Sequence, residues 1–188
     1  MNDVPIKKLE PKIRQGLVVI LTGNGKGKTT SALGMALRAC GHRQRTIIVQ
    51  FMKGDLYSGE WDGVELLAPL VTLHHTGKGF CGIEGNPYPH SEHRANAQEA
   101  LLLVEDILRR DQCDLLILDE INNALQLALV DLAQVKALLA LRPAHMHLVL
   151  TGRDAHPDLV TMADTVSEVR EIKHAYRRHI EPQPGIDF

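Results

Sequence analysis

Two short segments concentrate the glycine, lysine, hydroxyl and carboxylate groups that could do chemistry together. The first is the glycine-rich stretch 21–34, LTGNGKGKTTSALG, and the second is LLILDE at residues 115–120. Glycines allow a loop to turn tightly, so that successive backbone N–H groups and the start of the following helix converge on phosphate groups. In such a loop Lys28 would neutralise the phosphates, and the Thr29 hydroxyl would be a ligand for Mg²⁺.

The first segment departs by one residue from the phosphate-loop pattern GxxxxGK[ST]. Residues 27–29 fill the last three positions, whereas Thr22 stands where the first glycine is expected. The physical requirements still hold, because the loop follows an apolar run, opens a helical pattern and carries Gly23 and Gly25. A simple glycine-rich turn would not need the sequence Gly-Lys-Thr-Thr directly before a helix.

The second segment has four apolar residues followed by two acids, which is typical of a Walker B strand. Asp119 would then lie beside the phosphate loop and hold magnesium or its waters. Capping of the next helix by Asp119 is compatible with that role. Glu120 is open to three interpretations: it orients water on the γ-phosphate, it binds magnesium, or it is merely polar at a strand end. The residues alone predict a protein that binds Mg-nucleotide, with its reaction unspecified.

The elements that must position these groups alternate along the chain. Apolar runs predict strands at 17–21, 45–51, 71–75, 115–118, 147–151 and 165–172. Helical spacing predicts helices at 29–39, 94–110, 121–129, 132–141 and 156–163. Residues 53–92 contain seven of the fifteen glycines and are predicted to be mostly irregular. This alternation predicts an α/β fold with a mostly parallel sheet flanked by helices. Together with the phosphate-loop and Walker B patterns, it indicates the RecA-like architecture of phosphate-loop NTPases.

Composition narrows the class of protein. A chain of 188 residues suits one domain, and a net charge of −2 argues against a nucleic-acid partner. The three cysteines form no CxxC pair and the ten histidines are spread over different elements, so no metal site of their own is expected. The sequence predicts no membrane span or signal peptide, and we expect a cytoplasmic protein.

The order of further motifs resembles that of the ATP:corrinoid adenosyltransferase family, from near Gly16 to Phe188. The loop itself, TGNGKGKTT, looks like the family's loop, including Thr22 in place of the first glycine. The other matching segments lie between the second strand and the C-terminus: QFMKG (50–54), LDE (118–120), LRP (141–143), TGRDAHPD (151–158), ADTVSE (163–168), KHAY (173–176) and PGIDF (184–188).

The resemblance implies a reaction in which the Co(I) of a reduced corrinoid attacks C5′ of ATP and expels triphosphate, in cobalamin biosynthesis or salvage. The corrinoid would be cobalamin, cobinamide or a cobyrinic acid derivative. Implied catalytic residues are Lys28, Thr29 and Glu120, and implied Mg²⁺ contacts are Thr29, Asp119 and Glu120. The residues implied to bind ATP form one continuous stretch: Gly23, Asn24, Gly25, Lys26, Gly27, Lys28, Thr29 and Thr30.

The resemblance also implies a homodimer in which an N-terminal arm, residues 1–15, reaches over the partner's site, leaving 16–188 as the catalytic domain. A flavin-dependent reductant would supply electrons. Phe80 aligns with a phenylalanine that packs on the corrinoid, but Gly82 stands where the family has a tryptophan that helps cobalt reduction. The single tryptophan, Trp61, lies about twenty residues earlier. Two alternatives therefore stay open: a non-catalytic paralogue that binds ATP or corrinoid, and a RecA-like ATPase.

Overall fold

The computed structural model describes residues 10–54, 57–79, 81 and 86–188. The predictions for Phe80, Gly82 and residues 1–9 of the N-terminal arm lie outside these residues. Within the described chain, six strands form one sheet, and all five neighbouring pairs are parallel. The predicted α/β class with a mostly parallel sheet is confirmed.

The strands are short apolar segments whose side chains are buried most fully at the centre of the sheet. The strands are β1 (Val18–Thr22), β2 (Thr46–Gln50), β3 (Val71–His75), β4 (Leu115–Asp119), β5 (His147–Thr151) and β6 (Thr165–Glu168). They lie in the order β3-β2-β4-β5-β1-β6 across the sheet. Every residue of β4 is buried, as expected for a parallel strand covered on both faces. The edge strand β6 is exposed along its whole length.

Helices cover both faces of this sheet. The helices are α1 (Lys28–Gly41), α2 (Glu60–Glu65), α3 (His90–Arg109), α4 (Ile121–Gln126), α5 (Leu132–Leu141) and α6 (Pro157–Met162). On one face α1 packs against β4 and β5, and α2 packs against β3. On the other face α3 packs against α5, and their buried residues share a core with β4 and β5.

The structure differs from the predicted elements in two places that matter for the site. Residues 53–92 were predicted to be mostly irregular, yet α2 forms there. Gly59 precedes this six-residue helix and Gly63 lies inside it, so the sequence shows no clear helical spacing of apolar residues. The last strand was predicted to run to 172 but ends at Glu168. Its neighbour β1 ends at Thr22, so the residues that follow have no strand to pair with.

Candidate functional site

The glycine-rich loop connects β1 to α1 at the carboxyl end of the sheet. Gly23 (φ 95°) and Gly27 (φ 116°) adopt left-handed backbone conformations, which glycine adopts without a steric penalty. The backbone N–H of Gly25 donates a hydrogen bond of 2.7 Å to the carbonyl of Val169. A Cβ at Gly25 would lie 2.7 Å from the carbonyl carbon of Arg170, so only glycine fits this close approach.

Lys28, the first residue of α1, is held inside the loop. Its ammonium donates hydrogen bonds to the carbonyls of Gly23 (2.7 Å) and Gly25 (2.8 Å). Burial lowers the pKa of Lys28, and the nearby positive charge of Arg153 lowers it further. A partly buried cation in a glycine-rich loop at the start of a helix is suited to receive an anion, which would relieve both effects.

Asp119 ends β4 and lies behind the loop. Its Oδ1 accepts hydrogen bonds from the hydroxyls of Thr29 (2.9 Å) and Thr151 (2.7 Å), and its Oδ2 accepts one from Gln50 Nε2 (3.2 Å). Burial raises the pKa of Asp119, and these hydrogen bonds oppose that change. The carboxylate is therefore enclosed by donors, and it reaches the cavity described below through the Thr29 hydroxyl.

Glu120 follows Asp119 and has a left-handed backbone conformation (φ 63°). Its N–H donates to the Thr151 hydroxyl at 2.8 Å. Its Oε2 is buried and has no hydrogen-bond partner in the described part of the chain. Burial, followed by the neighbouring charge of Asp119, raises the pKa of Glu120 to about 7. A buried carboxylate oxygen without a partner lowers the stability of the fold unless it binds a cation or a proton.

The side chains present fit a magnesium ion only together with a nucleotide. Among the described residues, no three histidine, cysteine or acidic side chains group closely enough to hold a metal by themselves. Mg²⁺ commonly takes one or two protein ligands and completes its shell with phosphate oxygens and water. The Thr29 hydroxyl and the Glu120 carboxylate offer that partial set, and Asp119 orients the hydroxyl.

A cavity of about 1280 Å³ opens in front of the loop. Its walls come from four main parts of the chain: loop residues 24–30, the segment around Lys53 and Glu60, the strand ends carrying Glu120 and Arg153, and the C-terminal residues 171, 174, 176, 177, 182 and 184–188. The volume exceeds the roughly 300–1,000 Å³ of a common small-molecule pocket. The cavity is therefore larger than a single small ligand requires.

A buried network supports the wall opposite the loop. Lys53 forms an ion pair with Glu60, which also accepts a hydrogen bond from Ser58. Burial raises the pKa of Glu60, but these donors outweigh it and lower the pKa to about 2. Gln50 connects this pair to the strand ends, because its Nε2 lies 3.2 Å from Glu60 Oε1 as well as from Asp119.

Trp61 belongs to this network. Its indole Nε1 donates to Gln50 Oε1 at 3.1 Å, and its ring stacks on His75 with centroids 4.6 Å apart. Trp61 is not among the described residues that line the cavity. The tryptophan of this chain therefore supports β2 and β3 and does not form a wall of the site.

The C-terminal segment closes over the loop. Lys26 Nζ pairs with Asp187 Oδ1 at 2.8 Å, and Asn24 Oδ1 accepts the N–H of Glu171 at 3.1 Å. The hydrogen bond from Lys26 holds the pKa of Asp187 below its usual range. Gly59 lies close to Phe188, since a Cβ there would be 3.6 Å from the Phe188 carbonyl carbon.

The structure thus brings residues 24–30 and Glu120 onto one cavity, with Gly23 and Asp119 directly behind them. Sequence reasoning missed Gln50, Lys53, Glu60, Arg153 and Asp187. Their only sequence signal was that four of them lie inside segments quoted for the family resemblance. Glu60 lies outside those segments and had no signal.

A family model and individual known proteins both match this chain over most of its length, and they carry the same description. Residues 14–188 match the family described as ATP:corrinoid adenosyltransferase BtuR/CobO/CobP. The corrinoid adenosyltransferase of Pseudomonas aeruginosa is 35% identical over 182 residues, covering 97% of this chain and 88% of that protein. Corrinoid adenosyltransferase CobA of Salmonella typhimurium is 35% identical over 192 residues, covering 100% and 93%.

A solved structure supports the fold class independently. The KaiC-like protein PH0186 of Pyrococcus horikoshii superposes with a TM-score of 0.53 at 16% identity, covering 86% of this chain and 76% of that one. At that identity the likeness concerns the fold alone. In the part of the chain that the structure describes, no helix is long and apolar enough to cross a membrane.

Proposed function

The chain belongs to the ATP:corrinoid adenosyltransferase family, and from this premise we propose that it transfers the 5′-deoxyadenosyl group of ATP to the Co(I) of a reduced corrinoid. The family is one of enzymes. The observation that carries the proposal is that a phosphate loop of the family's sequence faces a cavity larger than one nucleotide needs. The additional space suits a second, bulky substrate beside ATP.

The reaction is a displacement at carbon. The electron pair of Co(I) forms a Co–C bond to C5′ while the C5′–O bond breaks, and triphosphate leaves with that bond's electron pair. Cobalt is thereby oxidised formally from Co(I) to Co(III), and no phosphoryl group is transferred. The rate depends on holding C5′ in line with cobalt and on stabilising the charge of the leaving oxygen.

The phosphate loop performs the second of these tasks. The backbone N–H groups of the loop other than that of Gly25, which is bonded to Val169, face the triphosphate, and the Lys28 ammonium exchanges its carbonyl partners for phosphate oxygens. These donors are already in place before the reaction, so little reorganisation is needed as charge develops. Arg153, on the same cavity, adds a second positive charge near Lys28.

Thr29 and Glu120 are the residues that would hold Mg²⁺ on the triphosphate. When bound, the ion neutralises charge on the leaving group. The unpaired Oε2 of Glu120 supports this assignment, because a cation would complete its interactions. Asp119 keeps the Thr29 hydroxyl oriented by accepting its hydrogen bond, so that the lone pairs of the hydroxyl oxygen face the cavity.

The biological setting is proposed on the same family premise. We place the enzyme in cobalamin biosynthesis or salvage in the cytoplasm, acting as a homodimer whose residues 1–15 reach over the partner's site. Residues 16–188 form the catalytic domain. A flavin-dependent protein is the proposed source of the electrons that reduce cobalt.

Incubation of the protein with ATP and chemically reduced cobalamin tests the proposal. The expected result is loss of the Co(I) absorption spectrum with formation of a light-sensitive Co–C bond, only when protein and ATP are both present. Persistence of Co(I) with cobalamin, cobinamide and cobyrinic acid derivatives would contradict the enzyme assignment. Tight corrinoid binding without adenosylation would instead favour a non-catalytic paralogue.

A further inference from the structure

One end of the cavity is lined by large apolar side chains that the folded chain leaves uncovered. The exposed fractions are 74% for Tyr176, 68% for Ile186 and 42% for Phe188. All three line the cavity. Single exposed apolar residues are ordinary, but several that line one cavity mark a binding surface.

The backbone holds this surface in place next to the phosphate loop. Asp187, between Ile186 and Phe188, pairs with Lys26 of the loop at 2.8 Å. The same carboxylate accepts the N–H of Gln183 at 2.9 Å, and the Gly185 N–H donates to the Phe188 carbonyl at 2.8 Å. The hydrogen bonds inside the turn therefore fix the shape of the C-terminal residues, which reduces the ordering cost of binding.

We propose that Tyr176, Ile186 and Phe188, the C-terminal wall, form the surface on which the corrinoid macrocycle packs. This inference rests on the proposed function and deepens it by assigning the second substrate to named residues. The wall lies on the same cavity as loop residues 24–30, so a ligand on it lies beside ATP bound at the loop. Apolar and aromatic side chains are suited to contact the face of a large conjugated ring.

Two flat ring systems share this chemistry: the corrin macrocycle and the adenine base of ATP. The size of the site favours the corrin, because a cavity of about 1280 Å³ and several uncovered large side chains exceed what one adenine can cover. The polarity of the wall favours it as well. Adenine is usually distinguished by hydrogen bonds to its edge, and apart from the Tyr176 hydroxyl the wall side chains carry no polar atom.

Separate binding measurements for the two substrates test the wall. The variants are Tyr176→Ser, Ile186→Ser and Phe188→Ala, with Phe188→Leu as the conservative partner. The matched control is Ile172→Ser, because Ile172 is 87% exposed in the same C-terminal stretch and does not line the cavity. Affinity for Co(II) cobalamin is measured by equilibrium titration, and affinity for Mg-ATP by calorimetry without corrinoid.

We expect the Ile186→Ser and Phe188→Ala changes together to weaken corrinoid binding at least tenfold and to leave ATP affinity within twofold. Phe188→Leu should retain most of the binding, and Ile172→Ser all of it. Steady-state rates should show a raised KM for corrinoid with an unchanged KM for ATP.

Three outcomes would overturn the assignment. A fall in ATP affinity with unchanged corrinoid affinity would show that the wall binds adenine. Unchanged affinity for both substrates would show that the wall binds neither of them. Failure of the unmodified protein to bind any corrinoid would overturn the proposed function itself, which distinguishes that result from the other two.

Discussion

The hydroxyl of Thr29 donates a 2.9 Å hydrogen bond to Asp119 Oδ1, joining the start of α1 to the end of β4 across 90 residues of sequence. This contact fixes the phosphate loop relative to the strand ends before any ligand binds. It also divides the roles of the two acids: Asp119 accepts hydrogen bonds from buried hydroxyls, while Glu120 keeps one buried oxygen without a hydrogen-bond partner among the described residues. The catalytic predictions below depend on that division.

Lys28→Ala should reduce the rate of adenosylation about a hundredfold or more. The substitution removes the cation that would face the leaving triphosphate, and such charge-stabilising donors are each worth about 3–4 kcal/mol in a preorganised site. The measurement is kcat with pre-formed Co(I) at saturating ATP. Lys173→Ala, at an exposed lysine that does not line the cavity, should react at the wild-type rate. More than a few per cent residual activity in Lys28→Ala would remove this residue from the mechanism.

Glu120→Gln should stabilise the nucleotide-free protein at high pH. Folding raises the pKa of Glu120 from an ordinary 4.5 to about 7, so the folded state holds this proton more tightly than the unfolded state. Wild-type stability should therefore fall as pH rises from about 4.5 to 7, by about 3 kcal/mol. The glutamine variant has no carboxyl at this position, so its stability should not fall for this reason.

Urea unfolding of both proteins at pH 5 and pH 8, in the presence of EDTA, measures this difference. The variant should gain stability over wild type at pH 8 and little at pH 5, while its affinity for Mg-ATP should fall. An equal difference at both pH values would show that Glu120 does not carry the raised pKa. Normal Mg-ATP binding by the variant would assign the metal to Thr29 and Asp119.

Gln50→Leu should lower both stability and turnover. Gln50 links Asp119, Glu60 and the Trp61 indole, and its removal leaves these buried polar groups with fewer partners at a cost of about 1–3 kcal/mol. Trp61→Phe keeps a ring against His75 and loses only the Nε1 donor, so it should cost less. A lower kcat with unchanged KM for ATP would identify Gln50 as a positioning residue. Loss of stability without change in kcat would make it purely structural.

Asp187→Asn should increase the affinity for ATP severalfold. In the structure the Asp187 carboxylate is paired with the Lys26 ammonium, and the phosphates of ATP would compete with this carboxylate for the ammonium. Lys26→Ala should change affinity in the opposite direction, because it removes the cation itself. Both effects should shrink at high salt, since the pair is solvent-accessible. A lower ATP affinity in Asp187→Asn would show that the pair persists in the complex.

The sequence predicted the parts of this protein that depend on local patterns. Strands such as β4 are continuous apolar runs, which are stable only when both faces of the strand are buried. The glycines of the loop indicate a turn between strand and helix. The helix α2 escaped prediction because six residues with an internal glycine carry almost no periodicity. The pair between Lys26 and Asp187 could not be predicted, because it depends on where the chain goes after β6.

The products formed from ATP and pre-reduced Co(I) corrinoid test the central claim most directly. The account predicts one molecule of tripolyphosphate for each Co–C bond formed, with no ADP and no free phosphate, and no tripolyphosphate when corrinoid is omitted. Release of ADP and phosphate at a rate independent of corrinoid would contradict it and would make the protein a phosphate-loop ATPase.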